Sequence, residues 1–437
     1  MPPSPVPAPT TPTRIGVGFV LLLSALTAIG PLTFDTYLAA FPEIAQDLSA
    51  TPAMVQFTLT ASLAGLALGQ VLIGSLSDAY GRRRPLLAAL AIYVAVSAAM
   101  TTLDSIAWLT ALRFVQGFSA AAGMVLSLAI VRDKYSGIQV SKVIARLMLV
   151  VGVAPILAPT IGAQLLQFGS WRMIFGFLAI VGAVLLALAS VTLRESLPVE
   201  RRRTGGTRAA VRTYRDLLTD RPFLGLALLS AFYMSALFTY VAASTFVFQD
   251  GFGLDAQQFG FVFAGGAAAI TIASQFYGAL VGRFEPEQIL TAAIAAGLVL
   301  ATALLIVALA GGGLVPVTAL VIGVLATAGF VMPSAPAIAL AANPHRAGSA
   351  AALLGALQFG IGALVAPLTG LLGGDPVLAM SAVMFTMVAL SAALLLVVSR
   401  SWRRAAVAGV VAADRTPTEL TPADLTAASL TAADLTR

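Results

Sequence analysis

The sequence contains no cysteine, a single histidine (His345) and few charged residues, only 10% of 437. The lack of cysteine excludes disulfides, thiolate nucleophiles and cysteine-ligated metals, and one histidine cannot build a metal site alone. No G-x-x-x-x-G-K-[ST] loop is present to hold ATP, and we expect neither metal nor cofactor. Soluble domains usually carry about 25% charged residues. The scarcity of charge, with 59% hydrophobic residues and a mean hydropathy of +0.95, therefore indicates a protein whose solvent is lipid.

Long apolar runs take the place of charge. A helix of about 20 mainly apolar residues spans a bilayer, because it satisfies its own backbone hydrogen bonds in lipid. Twelve such runs are present, at 15–40, 54–76, 85–103, 107–130, 143–166, 172–193, 222–248, 257–281, 288–310, 314–342, 348–373 and 376–399. They predict an all-α membrane protein with an N-terminal six-helix half (15–193), a basic connector (194–221) and a C-terminal six-helix half (222–399). The Pro-rich residues 1–14 and the tail 400–437, whose end repeats with a five-residue period, are expected to be disordered or low in complexity.

Basic residues collect in alternate loops. A cytoplasmic N-terminus places the Arg82–Arg84 run, Arg132, Arg283 and the eight arginines of the connector on one side, and only Arg172 on the other. This asymmetry follows the positive-inside rule and predicts that both termini are cytoplasmic. The sequence pI of about 10.0 is then a matter of topology, and we expect a lipid bilayer rather than a nucleic acid as partner.

The two halves resemble each other. "FDTYLAA" at Phe34–Ala40 is similar to "LFTYVAA" at Leu237–Ala243, and "APTIG" at Ala158–Gly162 is similar to "APLTG" at Ala366–Gly370. The matches keep their order, with offsets of 203 and 208 residues. Two pseudo-symmetric six-helix halves are a transporter architecture, with the substrate site between the halves near the bilayer midplane.

A charged turn, "GSLSDAYGRRR", separates the second and third runs. A loop that only sets topology explains its arginines, but not the spacing of Gly74, Asp78, Gly81 and Arg82. That spacing resembles the G-x-L-x-D-r-x-G-r-r signature of the major facilitator superfamily, with Ala79 at a position that is often Arg. The resemblance implies a major facilitator fold, with a cytoplasmic gate that stabilises the outward-facing state. The second-half copy at 278–284 has Gly282 in place of Asp78, so the gate is expected on one side only.

Arg113 stands inside the fourth run, in "RFVQGF" with Gln116 and Gly117. A charge within a membrane helix indicates function by default, and the alternative is an arginine that reaches to the outer interface. The R-x-x-q-G pattern is similar to the fourth-span motif of the superfamily, which implies a role for Arg113 in proton coupling.

The fifth run, "GVAPILAPTIGA", places Gly152, Pro155, Pro159 and Gly162 in one helix. Proline removes a backbone hydrogen bond and kinks a helix, and glycine permits close contact with the other half. The pattern is similar to the antiporter motif of exporters, although a packing kink without bearing on direction is the alternative.

Asp35 follows Pro31 at the outer part of the first run. In an apolar cavity such a carboxyl exchanges protons near neutral pH, whereas at the interface it stays ionised. The D-x-Y-L-x-x-F-P run, "AIVRDKYSG" at 129–137, "WRMIF" at 171–175 and "GSAAALLGALQFGIGAL" at 348–364 together resemble the bicyclomycin- and chloramphenicol-resistance group of drug:proton antiporters. The resemblance implies that Asp35 lies in the binding cavity and recognises protons or cationic substrates.

Aromatic and amide residues complete the expected cavity, since drug pockets are mainly apolar with a few orienting polar groups. Ordinary helix packing is the alternative for each of them. The candidates are Phe34, Tyr37, Gln116, Tyr233, Phe238, Tyr240, Gln358 and Phe359.

We therefore predict a monomeric transporter in the cytoplasmic membrane of a bacterium, which exports small-molecule drugs in exchange for protons by alternating access. A proton-coupled importer of a metabolite on the same fold and a membrane sensor without transport are the alternatives. No set of acid, base and nucleophile occurs within the runs, so an enzyme is not expected.

Overall fold

The computed structural model describes residues 16–135, 138–202, 206–343 and 346–413. The predictions for residues 1–14, for His345 and for the repetitive segment 419–436 lie outside these ranges. Within them, twelve helices are long and apolar enough to cross a membrane, as predicted. We number these twelve α1 to α12.

The first half contains α1 (Val17–Asp35), α2 (Pro52–Tyr80), α3 (Arg83–Met100), α4 (Ile106–Lys134), α5 (Ile138–Phe168) and α6 (Arg172–Thr192). The second contains α7 (Arg221–Thr245), α8 (Ala256–Leu280), α9 (Pro286–Leu309), α10 (Leu314–Ala341), α11 (Ala347–Val365) and α12 (Pro376–Ala413). Shorter helical segments are Leu38–Ala40, Phe41–Asp47, Val199–Arg201, Gly206–Thr219, Phe246–Gly251 and Leu368–Leu372.

Helix ends follow the local sequence. The Thr51 hydroxyl caps α2 at the Met54 amide, and Asp255 forms a capping box with Gln258 at the start of α8. The backbone of α12 continues helically to Ala413, beyond the predicted start of the tail at 400. The stretch 400–408 contains neither Pro nor Gly and is rich in Arg and Ala, which favour helix.

The two halves share three corresponding helix pairings. In the first half α2 packs against α4, α1 against α5 and α3 against α6. In the second half α8 packs against α10, α7 against α11 and α9 against α12. The halves meet mainly where α5 contacts α8 and α2 contacts α11. This pairing gives the duplicated architecture that the sequence predicted, with a central seam between two bundles.

Candidate functional site

A cavity of about 1200 Å³ lies in the seam between the halves. Its mouth is lined by Asp78 and Arg82, on either side of the end of α2, and by Arg132 and Asp133, near the end of α4. We call this side of the protein the basic end of the bundle, because most loop arginines lie there. Its inner part reaches Gln70 of α2, Met124 of α4 and the α11 residues Gln358 and Phe359. Gln70 and Met124 are each ten residues from Tyr80 and Lys134, the last residues of their helices, so the cavity extends about 15 Å into the bundle.

At the opposite end the halves are joined by hydrogen bonds. The Gln56 amide of α2 donates to the Ala242 carbonyl (3.2 Å) and accepts from the Gly370 amide (3.0 Å) and the Thr369 hydroxyl (3.3 Å). The Thr245 hydroxyl donates to the Leu38 carbonyl at 3.0 Å. These contacts hold the halves together above the cavity, so the cavity opens toward the basic end. Sequence reasoning missed Gln56, although an amide inside an apolar run is a signal that was available.

Arg113 lies inside the first half, with none of its side chain exposed. Its Nη1 donates to the Thr33 carbonyl (3.1 Å) and to the Gln116 side chain (2.7 Å), and Gln116 donates to Ser97 (2.8 Å). The guanidinium carbon stands 4.2 Å from the centre of the Tyr37 ring. Within the described ranges, Nε and Nη2 have no hydrogen-bond partner and Arg113 takes part in no ion pair. A burial this complete excludes an arginine that reaches to the membrane interface.

Asp35 is the last residue of α1, and its side chain is 8% exposed. Its carboxylate makes no hydrogen bond or ion pair with any residue in the described ranges, and it interacts electrostatically with Tyr240 of α7. Asp35 is not among the residues that line the cavity, since it lies 18 residues, or about 27 Å, from the start of α1 at the basic end. The carboxylate is thus buried between the halves, deeper than the cavity floor.

Most of the predicted cavity residues pack elsewhere. Only Gln358 and Phe359 line the cavity in this structure. Tyr37 and Gln116 belong to the arginine network, Tyr233 is hydrogen-bonded to Thr327, Tyr240 stacks on Phe263, Phe238 packs against Phe359, and Phe34 is 7% exposed. The contacts recorded for these side chains are therefore with helices of their own half.

The predicted gate residues lie at the cavity mouth and bond within the first half. Arg82 forms ion pairs with Asp78 (2.6 Å) and Asp133 (3.0 Å). Burial disfavours the charge of Arg82, but its hydrogen bonds to Asp133 and Asp78 raise its pKa overall. Gly81 has φ +89°, a conformation that favours glycine and lets the turn close. No ion pair between the halves involves these residues in the described part of the chain.

Glu195, which follows α6, forms hydrogen bonds with the turn between α2 and α3. Its carboxylate accepts hydrogen bonds from the backbone amides of Arg82 (2.8 Å) and Arg83 (3.2 Å) at the start of α3. Desolvation opposes its ionisation, but these amides, with those of Leu197 and Ser196, lower the pKa of Glu195 below its usual value of 4.5. Sequence reasoning missed Glu195, because the Arg82 and Arg83 amides that it binds lie more than 100 residues earlier in the chain.

The four residues of the predicted antiporter motif lie on α5, which stays helical through Pro155 and Pro159. The Gly152 carbonyl accepts a hydrogen bond from Thr271 of α8, in the second half, at 3.0 Å. A side chain at Gly162 would overlap the Thr36 carbonyl, which belongs to the same half. The glycines therefore serve two different contacts, one between the halves and one against the segment after α1.

Comparisons with known proteins agree with this architecture. The sequence pattern of the Major Facilitator Superfamily matches residues 23–367. The uncharacterized MFS-type transporter YdgK of Bacillus subtilis is 38% identical over 86% of this chain and 94% of its own length. A bicyclomycin resistance protein homolog of Haemophilus influenzae is 32% identical over 80% of this chain and 88% of its own. In the crystal structure of a bacterial homolog of the human lysosomal transporter Spinster, inward-facing and unoccupied, the fold is similar with a TM-score of 0.70 at 18% identity, over 89% of this chain and 99% of that one.

Proposed function

Because the chain belongs to the Major Facilitator Superfamily of transporters, we propose that it exports small-molecule drugs across the cytoplasmic membrane in exchange for protons. Membership confirms the predicted family and the twelve-helix fold, and the chain is a multi-pass membrane transporter rather than an enzyme. The relative named for bicyclomycin resistance supports drugs as the cargo and supports the predicted likeness to that resistance group.

We place the basic end in the cytoplasm, following the positive-inside rule. The cavity in this structure then faces the cytoplasm, and the Gln56 contacts close the outer side. Alternating access requires that these contacts break as the halves rock and that the mouth at Asp78 and Arg82 closes. A drug taken up from the cytoplasm then leaves on the outer side.

The observation that carries proton coupling is the state of Asp35. Its carboxylate is buried between the halves without a hydrogen bond or an ion pair among the described residues. Burying a charge without a partner costs several kcal/mol, so this arrangement favours a protonated Asp35, and solvation after outer opening favours proton exchange. We assign Arg113 to the same proton step, because its guanidinium is anchored to the Thr33 carbonyl, two residues before Asp35 in the chain.

Inside-out membrane vesicles from a host without its own drug pumps test the proposal. Export from cells corresponds to uptake into such vesicles. We expect uptake of a transported drug when the vesicle interior is acidified, and its loss when a protonophore collapses the gradient. Gradient-driven uptake into right-side-out vesicles instead would overturn export and favour the importer. Drug uptake that is unchanged by the protonophore would overturn proton coupling.

A further inference from the structure

Charged and uncharged polar side chains lie at different depths in the cavity. Its Asp and Arg side chains lie at the mouth, and Arg82 already binds both Asp78 and Asp133. Two carboxylates and two guanidiniums, those of Arg82 and Arg132, leave the mouth without net charge. The inner described lining contains no Asp, Glu, Lys, Arg or His, so it offers no counter-ion to a charged ligand.

The inner lining contains two side-chain amides, Gln70 from the first half and Gln358 from the second. Gln70 is 8% exposed, and among the described residues its Nε2 donates only to the sulfur of Met124, at 4.0 Å. Gln358 donates to the Ser230 hydroxyl at 2.5 Å. Neither Oε1 atom accepts a hydrogen bond from a described residue. Gln70 is buried and Gln358 is half-buried at the cavity wall, so their unpaired Oε1 atoms can accept hydrogen bonds from a ligand in the cavity.

The two amides lie on the helices that join the halves on this side of the seam. Gln70 sits against Gly355 of α11, where a larger side chain would collide with its Oε1. Gln358 follows Gly355 by three residues, so it lies about one turn further along the same helix. A molecule bound between the two amides therefore contacts both halves at once, and Met124 and Phe359 supply an adaptable apolar wall beside it.

Asp35 is separated from this site. It lies about 12 Å further along the bundle than Gln70 by helix length. Phe359, at the cavity floor, packs on Phe238 with ring centres 5.5 Å apart, and Phe238 in turn fills the space beside Gly362. The floor is thus aromatic, and no carboxylate lies in the described inner lining.

We propose that Gln70 and Gln358 determine specificity, and that the cavity binds uncharged molecules which both donate and accept hydrogen bonds. The substrate is held by this amide pair, while Asp35 serves protons only. This inference rests on the proposed function for its physiological meaning, since it names the substrate class of the same transporter.

Equilibrium binding to the full-length protein in lipid nanodiscs tests it without any gradient. The probes are uncharged chloramphenicol and bicyclomycin, and the permanent cations ethidium and tetraphenylphosphonium. We expect an uncharged probe to bind tightest, and Gln70→Leu and Gln358→Leu each to weaken its binding at least tenfold. Gln167→Leu makes the same change on the exposed end of α5 and should leave the Kd unaltered. Gln358→Glu should strengthen binding of a cation at least tenfold, by supplying the missing counter-ion.

Tightest binding by a permanent cation overturns the inference, as does failure of both uncharged probes to bind. An unchanged Kd for the uncharged probe in both leucine variants overturns it as well. The outcome of the vesicle experiment does not depend on these binding results. If the protein binds uncharged probes through the two amides but does not respond to a proton gradient, this inference stands and the proposed drug–proton exchange is wrong.

Discussion

The Arg113 guanidinium lies 4.2 Å above the ring of Tyr37, with no carboxylate in ion-pair contact within the described structure. A cation over an aromatic face gains up to about 2 kcal/mol when desolvated, which falls short of replacing its hydration. The first half therefore contains a cation that its surroundings compensate only in part.

Replacing this cation separates stability from function. Arg113→Met removes an unpaired buried charge, so we expect the free energy of unfolding to rise by about 1 kcal/mol while proton-driven transport is lost. Thermal unfolding in detergent and vesicle uptake measure the two effects. Arg172→Met, which breaks ion pairs with Asp47 and Asp104 at the surface, is the control and should keep transport. A destabilised Arg113→Met protein would show that the Gln116 and Thr33 contacts outweigh the buried charge.

Asp35→Asn should abolish transport driven by a pH gradient, because an amide cannot take up or release a proton. Expression and the melting temperature should stay near those of the unaltered protein, since Asp35 makes no hydrogen bond with the described residues. Vesicle uptake against a pH step is the measurement, and Asp104→Asn in an exposed loop is the matched control. Full gradient-driven uptake by Asp35→Asn would remove this residue from the mechanism.

Gln56→Leu should shift the protein toward the outward-open state. It removes three hydrogen bonds between the halves, each worth about 1 kcal/mol net, so the shift in population is roughly 5- to 150-fold. Because the chain has no cysteine, spin labels at Thr102→Cys and Ala310→Cys report the outer distance between the halves. Gln46→Leu, exposed on the same side, is the control. An unchanged distance distribution would show that other contacts close the outer side.

Glu195 gives the mouth a pH-dependent stability. Its pKa is lowered in the folded protein, so its contribution is complete above the usual value of 4.5 and is lost as the pH falls through the folded pKa. We expect Glu195→Gln to lower the melting temperature at pH 7, and the difference from the unaltered protein to vanish at pH values well below 4.5. Melting curves between pH 7.5 and 3.5 measure this, with Glu287→Gln as control. A difference that persists at the acid end would assign the effect to shape instead of charge.

Gly162→Ala tests the contact between α5 and the segment after α1. The added methyl group overlaps the Thr36 carbonyl, so we expect a loss of about 1–3 kcal/mol in unfolding free energy. Gly278→Ala makes the same change in α8 with open space around it, where alanine favours the helix by about 1 kcal/mol. Equal stability of the two variants would mean that α5 shifts at no cost.

The sequence predicted the helices because each is decided by local hydropathy and length. It also identified Asp35 and Arg113, since a charge in an apolar run is conspicuous. It could not place them, because a count along one helix does not say whether a side chain faces a cavity, a neighbouring helix or the seam. Tyr37 and Tyr240 illustrate this, since both were expected at the cavity and both pack inside the bundle.

Other residues act through partners that only the fold supplies. Glu195 needs the Arg82 and Arg83 amides, and Gln56 needs the Ala242 carbonyl, 186 residues away. Gln70 could not be identified from the sequence, because only the fold shows that it lies against Gly355 of α11. Hydropathy patterns determine where helices lie along the chain, whereas these contacts depend on how two duplicated halves meet.

Among the described residues, Asp35 is the one buried carboxylate, and the duplicated position in the second half is Phe238. A cycle that exchanges one proton there for one uncharged molecule moves a net positive charge inward. The membrane voltage then drives export together with the pH difference. Each 100 mV of voltage contributes about 2.3 kcal/mol, enough for a roughly 50-fold concentration ratio. Under the exchange that we propose, a fold with one buried carboxylate would therefore be electrogenic, with the voltage and the pH difference acting in the same direction.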